Sequence, residues 1–168
     1  LNAIIAADID IIILADIRWD DHTRVGVRDV LRRRWAGNFW PKDWFNQQPD
    51  APTHGLFVAI RDTWSRFLEF DRPDSRGWAR YACVVLRHQA RALAIFGLYA
   101  CPFSRTCAEF AWEMDQIRRA TTDDEVPTPW NLLRRDLDVE LTGHAAAGTD
   151  YVLFGDWNVT WSPEARLS

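Results

Sequence analysis

The stretch Tyr151-Val152-Leu153-Phe154-Gly155-Asp156-Trp157-Asn158 reads as a short apolar strand that ends on a carboxylate and an amide two residues apart. Side chains alternate along an extended chain, so Asp156 and Asn158 point the same way while Trp157 turns back into packing. Gly155 permits close approach of backbone or ligand. A carboxylate and an amide aimed at one spot suit a phosphate, a hydrated metal ion or an attacking water. The same residues also fit a strand end entering an Asx turn, with Asp156 bonding only its own backbone. What lies upstream separates the two readings.

The 168 residues suffice for one domain with a substantial core. A hydrophobic content of 48% and a charged content of 26% are ordinary for a globular protein. With a net charge of −4, no global positive field draws the molecule to nucleic acid. All 20 basic residues except Lys42 are arginine, which suits bidentate phosphate contacts but follows equally from codon usage in a GC-rich genome. The ten tryptophans read as core or interface anchors more readily than as base-stacking platforms.

Cys83, Cys101 and Cys107 are odd in number and lack CxxC spacing. They argue for an intracellular, reducing compartment, and against both a disulfide framework and a zinc site. His22, His54, His88 and His144 form no ligand pair at helical spacing. No apolar run reaches the roughly 18 residues of a membrane span. The opening Leu1-Asn2-Ala3-Ile4-Ile5 resembles neither a signal peptide nor an initiator terminus, and the expectation is a segment excised from a longer chain.

Ile11-Ile12-Ile13-Leu14, bounded by acids, predicts a strand buried on both faces. Thr23 to Trp35 has Val27, Val30, Leu31 and Trp35 at helical spacing, ringed by Arg28, Arg32, Arg33 and Arg34. Asn38 to His54 is expected to be loop, and Gly55 to Ile60 a strand. Arg66 to Phe70 reads as a further strand closed by a turn over Asp71 to Ser75. Ala79 to Leu86 and Arg91 to Tyr99 read as a hairpin. Helices are expected over Thr106 to Ala120 and over Trp130 to Leu141, with a small-residue loop from Gly143 to Thr149 leading to the last strand. Hairpins with helices inserted late indicate an α+β layered fold rich in antiparallel pairing.

These segments carry a resemblance. Asp10-Ile11-Ile12-Ile13-Leu14-Ala15-Asp16-Ile17-Arg18 resembles the "DIl-L-QE-T-R" strand of the endonuclease/exonuclease/phosphatase family, and Gly55 to Ile60 resembles its "GGVAIL" strand. Arg76-Gly77-Trp78-Ala79-Arg80-Tyr81, with the hairpin into Leu98-Tyr99-Ala100-Cys101-Pro102, is similar to "GR…V…l.nvYaP". Gly155-Asp156-Trp157-Asn158 is similar to "GDFN". Each motif alone is weak; the four occur in family order and cover nearly the whole chain. The resemblance implies a DNase I-like, four-layered α/β/β/α sandwich, incomplete at both termini, that cleaves phosphoester bonds with Mg²⁺ or Mn²⁺.

The resemblance also implies roles. Asp16 falls on the metal-binding acid position, where the family has Glu; a side chain one methylene shorter draws the cation closer to the strand or holds it through water. Tyr99 matches the tyrosine whose hydroxyl contacts the phosphoryl group. Asp156 would align and activate the attacking water, and Asn158 would orient the phosphate or metal-bound water. Arg18 is a weaker candidate for a phosphate clamp. The Arg28 to Arg34 cluster is the same kind of candidate, but reads more readily as a solvated helix face.

Two family features are missing from residues 1–168: an Asn on a preceding first strand, and a C-terminal Asp-His pair. The expectation is therefore a partial domain, inactive alone, whose activity belongs to a longer parent. Three functions follow. The first is an endonuclease, of which the retrotransposon type is one form, with nucleic acid, most simply DNA, as substrate. The second is a phosphatase acting on lipid or small-molecule phosphoesters. The third is a degenerate, non-catalytic binding module of the same fold.

Overall fold

Along the chain the structure, a computed structural model, runs β1 (Ile11–Leu14), α1 (Asp21–Leu31), β2 (Trp35–Trp40), β3 (Leu56–Arg61) and a one-turn α2 (Asp62–Ser65). It continues through β4 (Leu68–Pro73), β5 (Tyr81–His88), β6 (Arg91–Tyr99), α3 (Ala108–Ala120), α4 (Pro129–Ala146) and β7 (Asp150–Asp156). The residues described are 6, 9–17, 21–32, 34–40, 55–102, 107–122 and 125–158. Three strands form one sheet in the order β1-β3-β2, and four form a second in the order β4-β5-β6-β7.

Residue parity then sorts the layers. Leu56, Val58 and Ile60 of β3 share one buried cluster with Ala82, Val84 and Leu86 of β5 and with Ile95 and Tyr99 of β6. That cluster is the seam between the sheets. The intervening residues of β3, Phe57 and Ala59, face the opposite way and pack with Val27 and Leu31 of α1. On the second sheet the alternate residues Tyr81, Cys83, Val85, Ala94, Phe96 and Leu98 pack against Leu133 and Leu137 of α4. A period-2 pattern buried on both sides therefore sets two sheets face to face with a helical layer outside each. This is the expected α/β/β/α sandwich.

The sheets approach closely at Gly97, where an added Cβ would lie 2.7 Å from Ile13 Cγ2 and 3.7 Å from Val58 Cγ2. Every ladder is antiparallel except β6–β7, which is parallel with Tyr99 beside Asp156. A parallel pair needs a long crossover, and α3 and α4 supply it.

Several boundaries differ from the sequence reading for local reasons. Trp35 belongs to β2, not to α1, yet its side chain is buried in the same cluster as Val27 and Leu31, which is why it fits their spacing. Residues 38–40, expected as loop, extend β2 along β3, while residues 41–54 lie outside the described set. The strand expected over Arg66 to Phe70 begins at Leu68 and runs on to Pro73. Proline is tolerated there because β4 is at the end of the strand order. The turn accordingly shifts to Asp74, whose Oδ1 accepts from the amides of Arg76 at 3.0 Å and Trp78 at 3.3 Å. Helix α4 starts at a Thr128 cap, Oγ1 accepting from the Asn131 amide at 3.2 Å, and passes through Gly143 to end at Ala146. The expected loop there is shorter for that reason.

Candidate active site at the ends of β1, β6 and β7

The β6–β7 ladder brings three of the candidate residues together. Tyr99 and Asp156 are register partners, and the Ala100 amide donates to the Asp156 carbonyl at 2.9 Å. Alternation assigns Asp156 to the seam side of its sheet: Val152 packs on the seam, whereas Leu153 and Trp157 pack on the α4 side. Trp157 meets Trp130 edge-on, with centroids 6.1 Å apart. The expected division of labour, with Asp156 outward and Trp157 returned to packing, is what the chain adopts.

Gly155 is indispensable to that geometry. Its φ is +153°, and an added Cβ would fall 2.1 Å from the Leu98 carbonyl oxygen. Beyond it, Asp156 Oδ1 accepts from the Asn158 amide at 3.0 Å, the Asx-turn hydrogen bond anticipated as the plainer reading. The two readings prove compatible, since the turn uses one carboxylate oxygen of an exposed side chain. Asn158 Nδ2 donates to the Ala100 carbonyl at 2.8 Å. A carbonyl can only accept, so the amide nitrogen faces it, and the Asn158 carbonyl oxygen is the atom directed away.

Asp16 lies at the end of β1, between Ala15, which packs on the seam, and buried Ile17, whose amide donates to the Gly55 carbonyl at 3.0 Å. Asp16 has φ +53° and Asn158 φ +46°. Left-handed backbone is uncommon outside glycine, though Asp and Asn tolerate it. Among the described non-glycine residues the others are Gln89, in the β5–β6 turn, and Ala79. Across the seam β1 touches β7 as well as β6, with Ile13 opposite Gly97. Tyr99 is only 2% exposed, so a substrate could meet very little of it. Arg18 and Arg33 lie outside the described residues, whereas Arg28 on α1 and Arg32 just beyond its end are exposed, Arg32 pairing with Asp29 at 3.4 Å.

Asp16, Asp156 and Asn158 offer oxygen donors, the set preferred by Mg²⁺, which is typically held by one or two carboxylates together with substrate phosphates. No group of three or more His, Cys, Asp or Glu that could hold a metal occurs among the described residues.

Sequence reading missed the charged network beneath this end of the sheet. Arg80 is 1% exposed, donates its backbone N–H to Asp74 Oδ2 at 2.9 Å, and sends Nη2 to Asp136 Oδ2 at 2.6 Å. Arg76 reaches the same Asp136 through Nε at 2.8 Å and Nη2 at 3.2 Å. Burial works to raise the Asp136 carboxyl, but hydrogen bonds from Arg76 and Arg80 outweigh it and hold it below the ordinary carboxylate value. The Arg80 carbonyl in turn accepts from the Tyr99 amide at 2.7 Å, tying the network to the site. The available signal was an acid in a turn-rich segment six residues before a strand-entry arginine; its α4 partner is distant in sequence.

No family model matches the chain, and no curated protein does. Solved structures do. Sphingomyelinase C from Streptomyces griseocarneus superimposes with a TM-score of 0.56 at 17% identity, covering 98% of this chain and 59% of the enzyme. The human Nocturnin catalytic domain gives 0.53 at 18% identity, covering 98% of this chain and 57% of that one. The chain has the DNase I-like fold. TDP2 from Caenorhabditis elegans also aligns, with a TM-score of 0.48 at 14% identity, over 95% of this chain and 39% of its own. These three belong to the endonuclease/exonuclease/phosphatase superfamily that the sequence motifs resemble. The DNase I-like chain thus spans between 39% and 59% of the length of these structures. No described helix is long and apolar enough to cross a membrane.

Proposed function

We propose that this DNase I-like chain belongs to a metal-dependent phosphodiesterase, an endonuclease that hydrolyses nucleic-acid phosphodiester bonds. The observation carrying the proposal is the joint placement of Asp156, Tyr99 and Asn158 by the β6–β7 ladder. The order of the four sequence motifs supports it, as does the fold. Mg²⁺ or Mn²⁺ would be held by Asp16 and Asp156, and when bound it supplies charge stabilisation at the phosphoryl group.

The chain's own residues divide the remaining work. Asp156 positions the attacking water and accepts its proton, a role that suits an exposed carboxylate with one oxygen engaged by the Asn158 amide. The outward carbonyl oxygen of Asn158 suits an O–H donor or a cation better than a phosphate oxygen, so Asn158 orients water rather than phosphate. Tyr99, nearly buried, fixes Asp156 through the ladder and offers at most its phenol to the phosphoryl group. Asp16, held in left-handed backbone at a strand end, bears strain of the kind found at functional positions.

The test is nicking of supercoiled plasmid by the full-length protein with Mg²⁺, compared with its Asp156→Ala variant. Mg²⁺-dependent nicking that disappears in the variant is expected. Nicking that survives the substitution contradicts the role given to Asp156. Hydrolysis of a lipid or small-molecule phosphoester, with DNA left intact, moves the substrate to the phosphatase alternative. A folded protein inert on all three substrates leaves the non-catalytic binding module.

A further inference from the structure

Arg80 and Glu113 are each 1% exposed, yet they do not bond to one another. Arg80 Nε and Nη1 and both carboxylate oxygens of Glu113 are buried with no hydrogen-bond partner among the described residues. Buried polar atoms are almost always satisfied, and an isolated buried charge is costly enough that such groups commonly neutralise instead. Among the described residues, the nearby arginines already face aspartates. Arg76 and Arg80 contribute two positive charges, and Asp74 and Asp136, which they contact, contribute two negative ones. These four charges cancel, so an ionised Glu113 adds a further negative charge to them.

We propose that Glu113 forms a pH-sensitive clasp. Uncharged, it lets α3 lie against the Arg80 end of the second sheet; ionised, it loosens that attachment. Glu113 is an internal residue of α3, buried like Ile117 on the same helix, and Trp112 beside it meets Trp78 edge-on at 5.9 Å. The groups that act on Glu113 come from each neighbouring element. They are Arg80 at the entry to β5, Asp74 in the turn before it, and Glu109 one turn back on α3. Asp136 of α4 acts through Arg80, and the Cys101 thiol follows β6.

Burial pushes the Glu113 carboxyl up to about 7; Arg80 opposes this, and Asp74 and Glu109 add to it. A carboxyl raised above its unfolded value contributes full stability below that value. The contribution is lost as pH rises through the folded one. The window of falling stability therefore lies between the ordinary 4.5 and about 7. None of this depends on the phosphodiesterase reading.

The experiment is urea unfolding of the wild type and of Glu113→Gln at intervals from pH 5 to pH 8. The wild-type folding constant should fall on the order of 10²-fold more than that of the variant, whose side chain does not titrate. Parallel profiles for the two proteins overturn the proposal. Should the variant not fold, infrared spectroscopy of the wild type decides. A protonated-carboxyl C=O band present at pH 6 and lost by pH 8 supports the clasp, and its absence at pH 6 overturns it.

Discussion

Tyr99 and Asp156 stand side by side on the parallel β6–β7 ladder, one buried in the seam and the other exposed at its rim. The pairing makes the buried residue a support for the exposed one, so their substitutions should separate. Asp156→Asn keeps the shape but not the basicity, and should lower Mg²⁺-dependent hydrolysis by roughly 10²- to 10⁴-fold. Tyr99→Phe keeps the ring and should cost about tenfold or less, on the order of 1.4 kcal/mol in barrier. Steady-state nicking rates of the two variants check this; a larger loss in Tyr99→Phe would give the phenol the leading role.

The closeness of Gly97 to Ile13 ties the two sheets together just below the site. Gly97→Ala forces a methyl group against Ile13 Cγ2 and should destabilise by about 1–3 kcal/mol, as overpacking does. Removing Cγ2 as well, the double variant Gly97→Ala/Ile13→Ala should cost less than the sum of the two single substitutions. A double-mutant cycle from chemical denaturation measures the coupling, and strict additivity would place the strain elsewhere.

Much of this arrangement was legible in the sequence, and the misses share one cause. The runs Ile11 to Leu14, Leu56 to Ile60 and Tyr81 to Tyr99 announce strands through apolar and β-branched residues, and their two-sided burial implied stacked layers. Gly155-Asp156-Trp157-Asn158 announced its own turn because that geometry is local. Trp35 was misplaced because burial beside a helix and membership of it look alike in periodicity. The Asp74–Arg80–Asp136 network was invisible because its halves are 56 residues apart and meet only after α4 packs. The near-burial of Tyr99 likewise depends on the second sheet and could not be read from one strand.

Acid should unfold the protein partly through Asp136. Its folded carboxyl is held below the ordinary value, so its contribution to stability is present above the unfolded value and lost as pH falls through the folded one. Comparing wild type and Asp136→Asn by thermal melts from pH 6 down to pH 3, the variant should start less stable and lose less on acidification. An unchanged acid slope would transfer the effect to another carboxylate.

The β5–β6 turn has room for improvement. Gln89 has φ +56° at the first central position of a two-residue hairpin loop, where glycine meets no Cβ penalty. Gln89→Gly should stabilise by about 0.5–1 kcal/mol, even after the added flexibility of the unfolded chain. A higher urea midpoint with an unchanged slope confirms this, and a lower midpoint shows that the glutamine side chain contributes to the native state.

The central claim is that Asp16 and Asp156 serve one cation, and paramagnetic broadening by Mn²⁺ in an amide NMR spectrum tests it most directly. Substoichiometric Mn²⁺ should broaden the amides around Asp16 and those from Asp156 to Asn158 together, and either Asp16→Ala or Asp156→Ala should abolish both effects at once. Broadening confined to one of the two strand ends, or unaffected by the substitution at the other, would contradict the account.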